Sequence, residues 1–249
     1  MKIITYPFRL IYKVYFLLFF ATTFTLAYPV FRYFLHRESR YPTAFKLMHG
    51  FAKFWMFFSG IYVKVEGKEN LKIAGPCIIC SNHTSFLDIP CLYSSIDRYF
   101  IFTGKKEIAK WPLFNIFYTS GMNILVDRQN ERGDLKALRR MMQVLDQGNP
   151  LFIFPEGTIS KKAPEMVEFK PGVAIIALKK KVPILPITFT TNWKRLERKG
   201  FFQGNASPGI ARMIVHPPIS TEGLTMQDAN KLMAELRKTI GGPIDNRGD

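Results

Sequence analysis

Hydrophobic positions follow one pattern in the first quarter of the chain and another in the rest. An uncharged apolar run covers 14–31, and a second apolar, aromatic segment covers 45–58. The first run is close to the length of about 20 residues that crosses a bilayer, whereas the second is shorter and contains Lys46 and Lys53. A short amphipathic helix of this kind suits a membrane interface. We therefore predict an N-terminal membrane-associating segment of two helices over 1–60.

The remainder of the chain alternates short apolar runs with stretches of helical periodicity. The clearest helical patterns cover 133–147 and 225–240, and Thr225 with Asp228 resembles a capping box at the start of the second. Strands are predicted at 61–66, 77–80, 99–102, 124–126, 151–154 and 184–189. Because alternating strands and helices form layered sheets, we predict an α/β domain over 61–249. Its expected architecture is a largely parallel mixed sheet flanked by helices, preceded by the two-helix membrane anchor.

Charge narrows the choice of partner. The chain carries 35 Lys and Arg against 19 Asp and Glu, a formal net charge of +16, which fits either nucleic acid or an anionic membrane surface. No helix-turn-helix, zinc-finger or RNA-binding signature accompanies this charge, so we expect an anionic membrane surface and no nucleic acid. Basic residues lie on both sides of the first apolar run, which suits a segment that enters and leaves the membrane on one side.

The cysteine spacing suggests metal chemistry only superficially. Cys77 and Cys80 have a C-x-x-C spacing, but they lie in a predicted strand, where positions three apart point to opposite faces. Cys91 is the third cysteine, and a second pair of ligands is missing. We expect buried thiols and no metal site.

Two polar segments follow predicted strands and are the candidates for chemistry. Asp88 could accept a hydrogen bond from His83 and leave the other ring nitrogen free to take a proton, provided that Thr84 or Ser85 caps a helix carrying Asp88. The alternative is an N-capping loop without catalytic function. The second segment, 151–158, runs from apolar residues into Glu-Gly-Thr, either a ligand-binding turn or an ordinary strand end.

Four segments, in order along the chain, resemble the motifs of the glycerolipid acyltransferase family, which includes the bacterial 1-acyl-sn-glycerol-3-phosphate (lysophosphatidate) acyltransferases. They are Asn82-His83 with Asp88, then 121–128, 154–158 and 182–186. The N-terminal apolar pair also resembles the two-helix anchor of the bacterial enzymes. The order of four motifs is far more specific than any one of them.

The resemblance implies a reaction and a set of roles. An acyl group would move from coenzyme A or acyl-carrier protein, as cosubstrate, to the sn-2 hydroxyl of 1-acylglycerol 3-phosphate, forming phosphatidic acid. His83 would be the general base and Asp88 its orienting partner, with no metal and no prosthetic cofactor. The implied substrate-binding residues are Lys105 and Arg128, which would hold the phosphate, and Glu156, Gly157 and Thr158, which would shape the acceptor site. The enzyme would be monotopic on the cytoplasmic face of the inner membrane.

One position departs from the family pattern. Many members have Arg after Glu-Gly-Thr, where this chain has Ile159. A nearby lysine could supply the charge instead, the candidates being Lys161, Lys162 and Lys170, or the acceptor could be a lyso-aminolipid with a free hydroxyl. A different class of function, a noncatalytic basic protein that binds membranes or nucleic acid, is the remaining alternative.

Overall fold

The computed structural model describes residues 2–127 and 131–245. Its helices are α1 (Lys2–Leu35), α2 (Tyr41–Phe58), α3 (Asp88–Ser95), α4 (Ile116–Thr119), α5 (Glu131–Asp146), α6 (Gly172–Lys180), α7 (Asn192–Arg195), α8 (Gly200–Gln203) and α9 (Ala229–Asp245). Its strands are β1 (Ile61–Glu66), β2 (Ile78–Ser81), β3 (Ile101–Lys105), β4 (Ile124–Val126), β5 (Leu151–Ile153), β6 (Ile184–Phe189) and β7 (Gly209–Val215). Short 3₁₀ turns occupy Glu38–Arg40, Lys68–Lys72, Lys106–Lys110 and Met226–Asp228.

The strands form one sheet in the order β1-β7-β6-β2-β5-β3-β4. All neighbouring pairs are parallel except β6 and β7, which are antiparallel. The predicted fold class, a largely parallel mixed sheet flanked by helices, is confirmed. Strands β2, β5 and β3 are adjacent, so the loops that follow them meet at one edge of the sheet, where ligand crevices of α/β folds lie.

Each face of the sheet has its own hydrophobic cluster, and β2 contributes to both. Cys77 packs in the cluster on the side of α1 and α2, while Cys80 packs in the cluster on the side of α6 and α9. Both thiols are free and buried, as predicted, and burial raises the pKa of Cys77 to about 11. Cys77, directly before β2, and Cys80, within it, are therefore core residues on opposite sides of the sheet.

The N-terminal helices pack against the sheet domain and also expose a large apolar surface. Phe24 is fully buried and contacts the ring of Phe117 in α4, with centroids 6.1 Å apart. In contrast, Phe8 and Leu26 are 72% and 75% exposed. Within the described ranges, Tyr6–Leu35 is the single stretch of helix long and apolar enough to cross a membrane. The division into segments at residue 60 stays a prediction, since these helices share a core with the sheet.

Strands β1, β4 and β6 have the predicted bounds, whereas the other predicted strands and the two predicted helices are present with shifted ends. The capping box of Thr225 and Asp228 forms as expected. Strand β3 runs on to Lys105, beyond its predicted end, which carries that lysine to the edge of the sheet. Strand β7 was not predicted. In β7 only Ala211, Met213 and Val215 are buried, and the partly exposed Arg212 lies between two of them, so the apolar signal of this strand is weak.

Candidate active site

Histidine and aspartate meet in the loop between β2 and α3. His83 Nδ1 lies 2.9 Å from Asp88 Oδ2, and Asp88 is fully buried as the first residue of α3. The same oxygen accepts the backbone N–H of Thr84 at 2.7 Å and of Ser85 at 2.9 Å. These donors fix the carboxylate, and the carboxylate in turn favours the tautomer with a proton on Nδ1. Nε2 is then the ring nitrogen that can accept a proton.

The expected helix cap is wrong in its detail. The residue at the N-cap of α3 is Leu87, and no side chain caps it. Ser85 instead accepts the N–H of Leu87 on Oγ at 3.1 Å and donates to the carbonyl of Leu196 at 2.7 Å. The Asp88 carboxylate takes the backbone N–H groups before the helix, so a Ser or Thr cap has no remaining role.

Two supporting residues were not predicted. Asn192 is fully buried and donates from Nδ2 to Asp88 Oδ1 at 2.8 Å, which holds the second oxygen of the carboxylate. Phe154 stacks on the imidazole of His83 with ring centroids 3.7 Å apart and 10° between the planes. Asn192 follows β6 on the sheet edge that carries His83, so the end of an apolar strand was the one signal that could have indicated it.

Glu156 stabilises the His83 loop by accepting backbone N–H groups. Its Oε1 accepts the backbone N–H of His83 at 2.8 Å, and its Oε2 accepts that of Val167 at 2.7 Å. The Glu156 side chain is buried, so it holds the His83 loop from within the protein. Burial disfavours the charged carboxylate and raises the pKa of Glu156 from about 4.5 to about 7. The two N–H donors favour the charged form and lower the pKa, but by less than burial raises it.

Glu156 should make stability depend on pH. Between pH 4.5 and 7 the folded protein binds more protons at this site than the unfolded chain, so its contribution to stability falls as pH rises. In Glu156→Gln the side chain stays neutral at every pH, although its amide NH2 must face one of the two backbone N–H donors, a cost that does not depend on pH. The stability of the variant relative to the parent should therefore rise with pH across this window, by up to about 3 kcal/mol. Urea unfolding of both proteins in detergent at several pH values measures the difference. A difference independent of pH would contradict the raised pKa.

A cavity of about 210 Å³ opens beside His83. The predicted binding residues Lys105, Gly157 and Thr158 line it together with Ile159. Gly157 has φ +65°, a conformation that favours glycine. Arg128 lies outside the described residues, so its predicted role stays a prediction.

The cation that sequence reasoning missed is Arg198. It lines the cavity, and its Nη1 lies 3.4 Å from Thr158 Oγ1 and also donates to the carbonyl of Ile159. The three lysines considered as substitutes for an arginine at position 159 are exposed, and none lines this cavity. Across the described ranges, no group of three His, Cys, Asp or Glu side chains could hold a metal ion.

A second cavity, of about 400 Å³, lies between the N-terminal helices and α3. Its walls are apolar and include Phe20, Ala52 and Trp55. The two cavities share the side chains Phe86, Ile89, Trp111 and Phe114. The site thus joins a polar compartment, which contains His83 and two cationic side chains, to an apolar compartment beside the N-terminal helices.

The site combines a histidine–aspartate pair in a polar cavity with an adjoining apolar cavity at the edge of an α/β sheet. A family model described as Acyltransferase matches residues 62–190. The chain belongs to this acyltransferase family, which confirms the resemblance seen in the four motifs.

Relatives of known name extend the comparison. The chain is 34% identical over 202 residues to the chloroplastic 1-acyl-sn-glycerol-3-phosphate acyltransferase BAT2 of Brassica napus, which covers 78% of this chain and 57% of the plant protein. It is 34% identical over 143 residues to the 1-acyl-sn-glycerol-3-phosphate acyltransferase of Helicobacter pylori, covering 57% of this chain and 60% of that protein. The chain thus spans somewhat over half the length of these relatives.

A solved structure resembles the whole chain. The crystal structure of the 1-acyl-sn-glycerophosphate acyltransferase PlsC from Thermotoga maritima superimposes with a TM-score of 0.75 at 25% identity, and the match covers 100% of both chains. The likeness includes the N-terminal helices as well as the sheet.

Proposed function

We propose that the protein transfers a fatty acyl group from a thioester to the sn-2 hydroxyl of 1-acylglycerol 3-phosphate, forming phosphatidic acid. The observation that carries this proposal is the His83–Asp88 pair, which leaves Nε2 available in a cavity that also contains two cationic side chains. The names of the relatives support the same acceptor.

The chemistry follows from the orientation of the imidazole. Nε2 of His83 accepts the proton of the acceptor hydroxyl as the oxygen attacks the thioester carbonyl carbon, and Asp88 stabilises the imidazolium that results. When the C–S bond breaks, the imidazolium returns the proton to the departing thiolate. The new ester bond replaces the thioester, and no covalent acyl-enzyme is required.

The apolar cavity is proposed to take an acyl chain. It holds almost no polar surface and joins the polar cavity through four shared side chains, so a chain lying in it could place its carbonyl beside His83. The donor is acyl coenzyme A or acyl-carrier protein. Burial of each methylene is worth about 0.8 kcal/mol, which makes cavity length a means of selecting chain length.

Narrowing this cavity should shift chain-length preference. Ala52→Phe places a ring in the apolar cavity, and we expect the rate ratio of 16-carbon to 10-carbon thioesters to fall roughly tenfold as about two methylenes lose their place. Thiol release with a series of saturated thioesters measures this ratio. Leu47→Phe, on the same helix and outside both cavities, is the control. An unchanged ratio in a folded Ala52→Phe protein would place the acyl chain elsewhere.

The exposed apolar surface of α1 and α2 supports a monotopic position on the cytoplasmic face of the inner membrane. Phe57 and Phe58 of α2 are more than half exposed and continue the apolar surface of α1. The net charge of +16 would add attraction to anionic headgroups. We infer that the acceptor reaches the site from this membrane surface.

A panel of acceptors tests the proposed function. Purified protein is given one long-chain thioester with lysophosphatidate, a lyso-aminolipid or a monoacylglycerol, and free thiol and lipid product are measured. We expect product formation with lysophosphatidate at the highest kcat/KM. A higher kcat/KM with the lyso-aminolipid would show that this lipid, and not lysophosphatidate, is the acceptor. The absence of thiol release with every acceptor, together with salt-dependent binding to polynucleotide, would favour a noncatalytic basic protein.

A further inference from the structure

The polar cavity contains an arginine from a distant part of the chain. Lys105 and Arg198 are the cations that line it among the described residues, and Ile159 contributes only an aliphatic side chain. Arg198 lies 39 residues after Ile159 and reaches its carbonyl from the segment between α7 and α8. A guanidinium therefore stands beside the Glu-Gly-Thr turn, although the turn itself ends in isoleucine.

Neutral groups hold this guanidinium in place. Its Nη1 contacts Thr158 Oγ1 and the carbonyl of Ile159, and no carboxylate in residues 2–127 or 131–245 pairs with it. Glu197, the adjacent acid, instead pairs with Lys199 at 2.7 Å. The positive charge is thus not neutralised from within the described protein, and the remaining N–H groups of the planar fork can serve a ligand.

The segment carrying Arg198 is fixed at both ends. Before it, the carbonyl of Leu196 accepts the hydroxyl of Ser85 from the His83 loop at 2.7 Å. After it, the buried ammonium of Lys13 in α1 donates to the carbonyls of Phe201 at 2.5 Å and of Gly204. Arg198 is therefore held in register with the catalytic loop, which reduces the entropy lost when it binds a ligand.

We propose that Arg198 binds the phosphate monoester of the acceptor and so determines acceptor specificity. This inference rests on the proposed function. In 1-acylglycerol 3-phosphate the phosphate is attached to the carbon next to the one that bears the reacting hydroxyl. A hydroxyl at His83 therefore requires a phosphate-binding cation in the same cavity, where Arg198 lies. In a coenzyme A or carrier-protein donor, the long pantetheine arm separates the thioester from the nearest phosphate, so the donor phosphates lie farther from His83.

Steady-state kinetics of Arg198→Met test this assignment. The substitution keeps length and removes the charge and the fork. We expect KM for lysophosphatidate to rise at least about tenfold, because hydrogen bonds between charged groups are the strongest of their kind. The KM for the thioester donor, and the rate with a monoacylglycerol acceptor, should change less than about twofold. Arg198→Lys should recover part of the loss, since it restores charge without the bidentate geometry.

A neighbouring variant provides the control. Lys194→Met removes one positive charge from α7, four residues before Arg198, and its side chain is exposed and does not line the cavity. It should leave KM for lysophosphatidate within about twofold of the parent. Circular dichroism and co-sedimentation with vesicles show that each variant is folded and membrane-bound.

The outcomes separate this inference from the function on which it rests. A parent protein without activity on lysophosphatidate overturns both. An active parent whose Arg198→Met variant keeps its KM for lysophosphatidate overturns the role of Arg198 alone. A rise in the KM of the donor, or equal losses with lysophosphatidate and monoacylglycerol, also overturns it, because the arginine would then serve the donor or the fold.

Discussion

His83→Ala should lower kcat by between about 100-fold and 10,000-fold, which is the range that a general base contributes. The imidazole is the group of the His83 loop that can accept a proton in the cavity, and alanine leaves Asp88 with its backbone partners intact. The loop should therefore keep its shape. Thiol release with lysophosphatidate as acceptor measures the loss.

A matched control makes the His83 result specific. His36 is exposed and lines neither cavity, so His36→Ala should retain the rate of the parent protein. Thermal unfolding and vesicle binding of the two variants should agree with those of the parent. Turnover by folded His83→Ala at a rate close to that of the parent would remove the general-base mechanism.

Asp88→Asn should lower kcat by roughly a thousandfold, because a neutral amide neither secures the tautomer of His83 nor stabilises the imidazolium. The variant should also lose about 1–3 kcal/mol of stability. If its carbonyl oxygen stays with His83 and the two backbone donors, its amide nitrogen faces Nδ2 of Asn192, which donates to Oδ1 of Asp88 in the parent. Two donors would then meet in a fully buried position unless the Asn192 amide turns over and presents its Oδ1, which has no partner in the parent, so the loss should lie at the lower end of this range.

Exchanging the side chains at 88 and 192 distinguishes the effect of the Asp88 charge on catalysis from its effect on folding. In the double variant Asp88→Asn, Asn192→Asp, a donor and an acceptor again face each other, and one buried carboxylate is retained. We expect recovery of part of the lost stability without recovery of kcat. Recovery of both in parallel would show that Asp88 acts through folding alone, and urea unfolding with thiol-release kinetics distinguishes the two results.

Contacts between residues close together in the sequence could be predicted, whereas contacts that depend on the order of strands in the sheet could not. His83 and Asp88 are five positions apart in a loop that follows an apolar strand, so their pairing was accessible from sequence. Asn192 and Arg198 lie more than a hundred residues beyond that loop and reach it because β6 pairs with β2. No periodicity in the sequence contains that information.

The role of the Glu-Gly-Thr turn shows the same limit. The sequence predicts that Glu156, Gly157 and Thr158 shape the acceptor site. In the structure these three residues face in different directions. Gly157 and Thr158 line the cavity, while Glu156 turns back to hold the backbone of His83 and of Val167. A side chain that follows a buried strand can face a ligand or the protein, and the choice depends on donors supplied by other loops.

The contact of Lys13 with the turn at α8 has a practical consequence for work on shortened versions of the protein. A protein shortened by its first fourteen residues would keep His83 and Asp88, yet the carbonyls of Phe201 and Gly204 would lose the ammonium that holds them. Acceptor affinities measured on such a fragment would report a loosened headgroup pocket, even where detergent supplied the substrate freely. The N-terminal helix that carries the exposed apolar surface is thus also a structural part of the pocket.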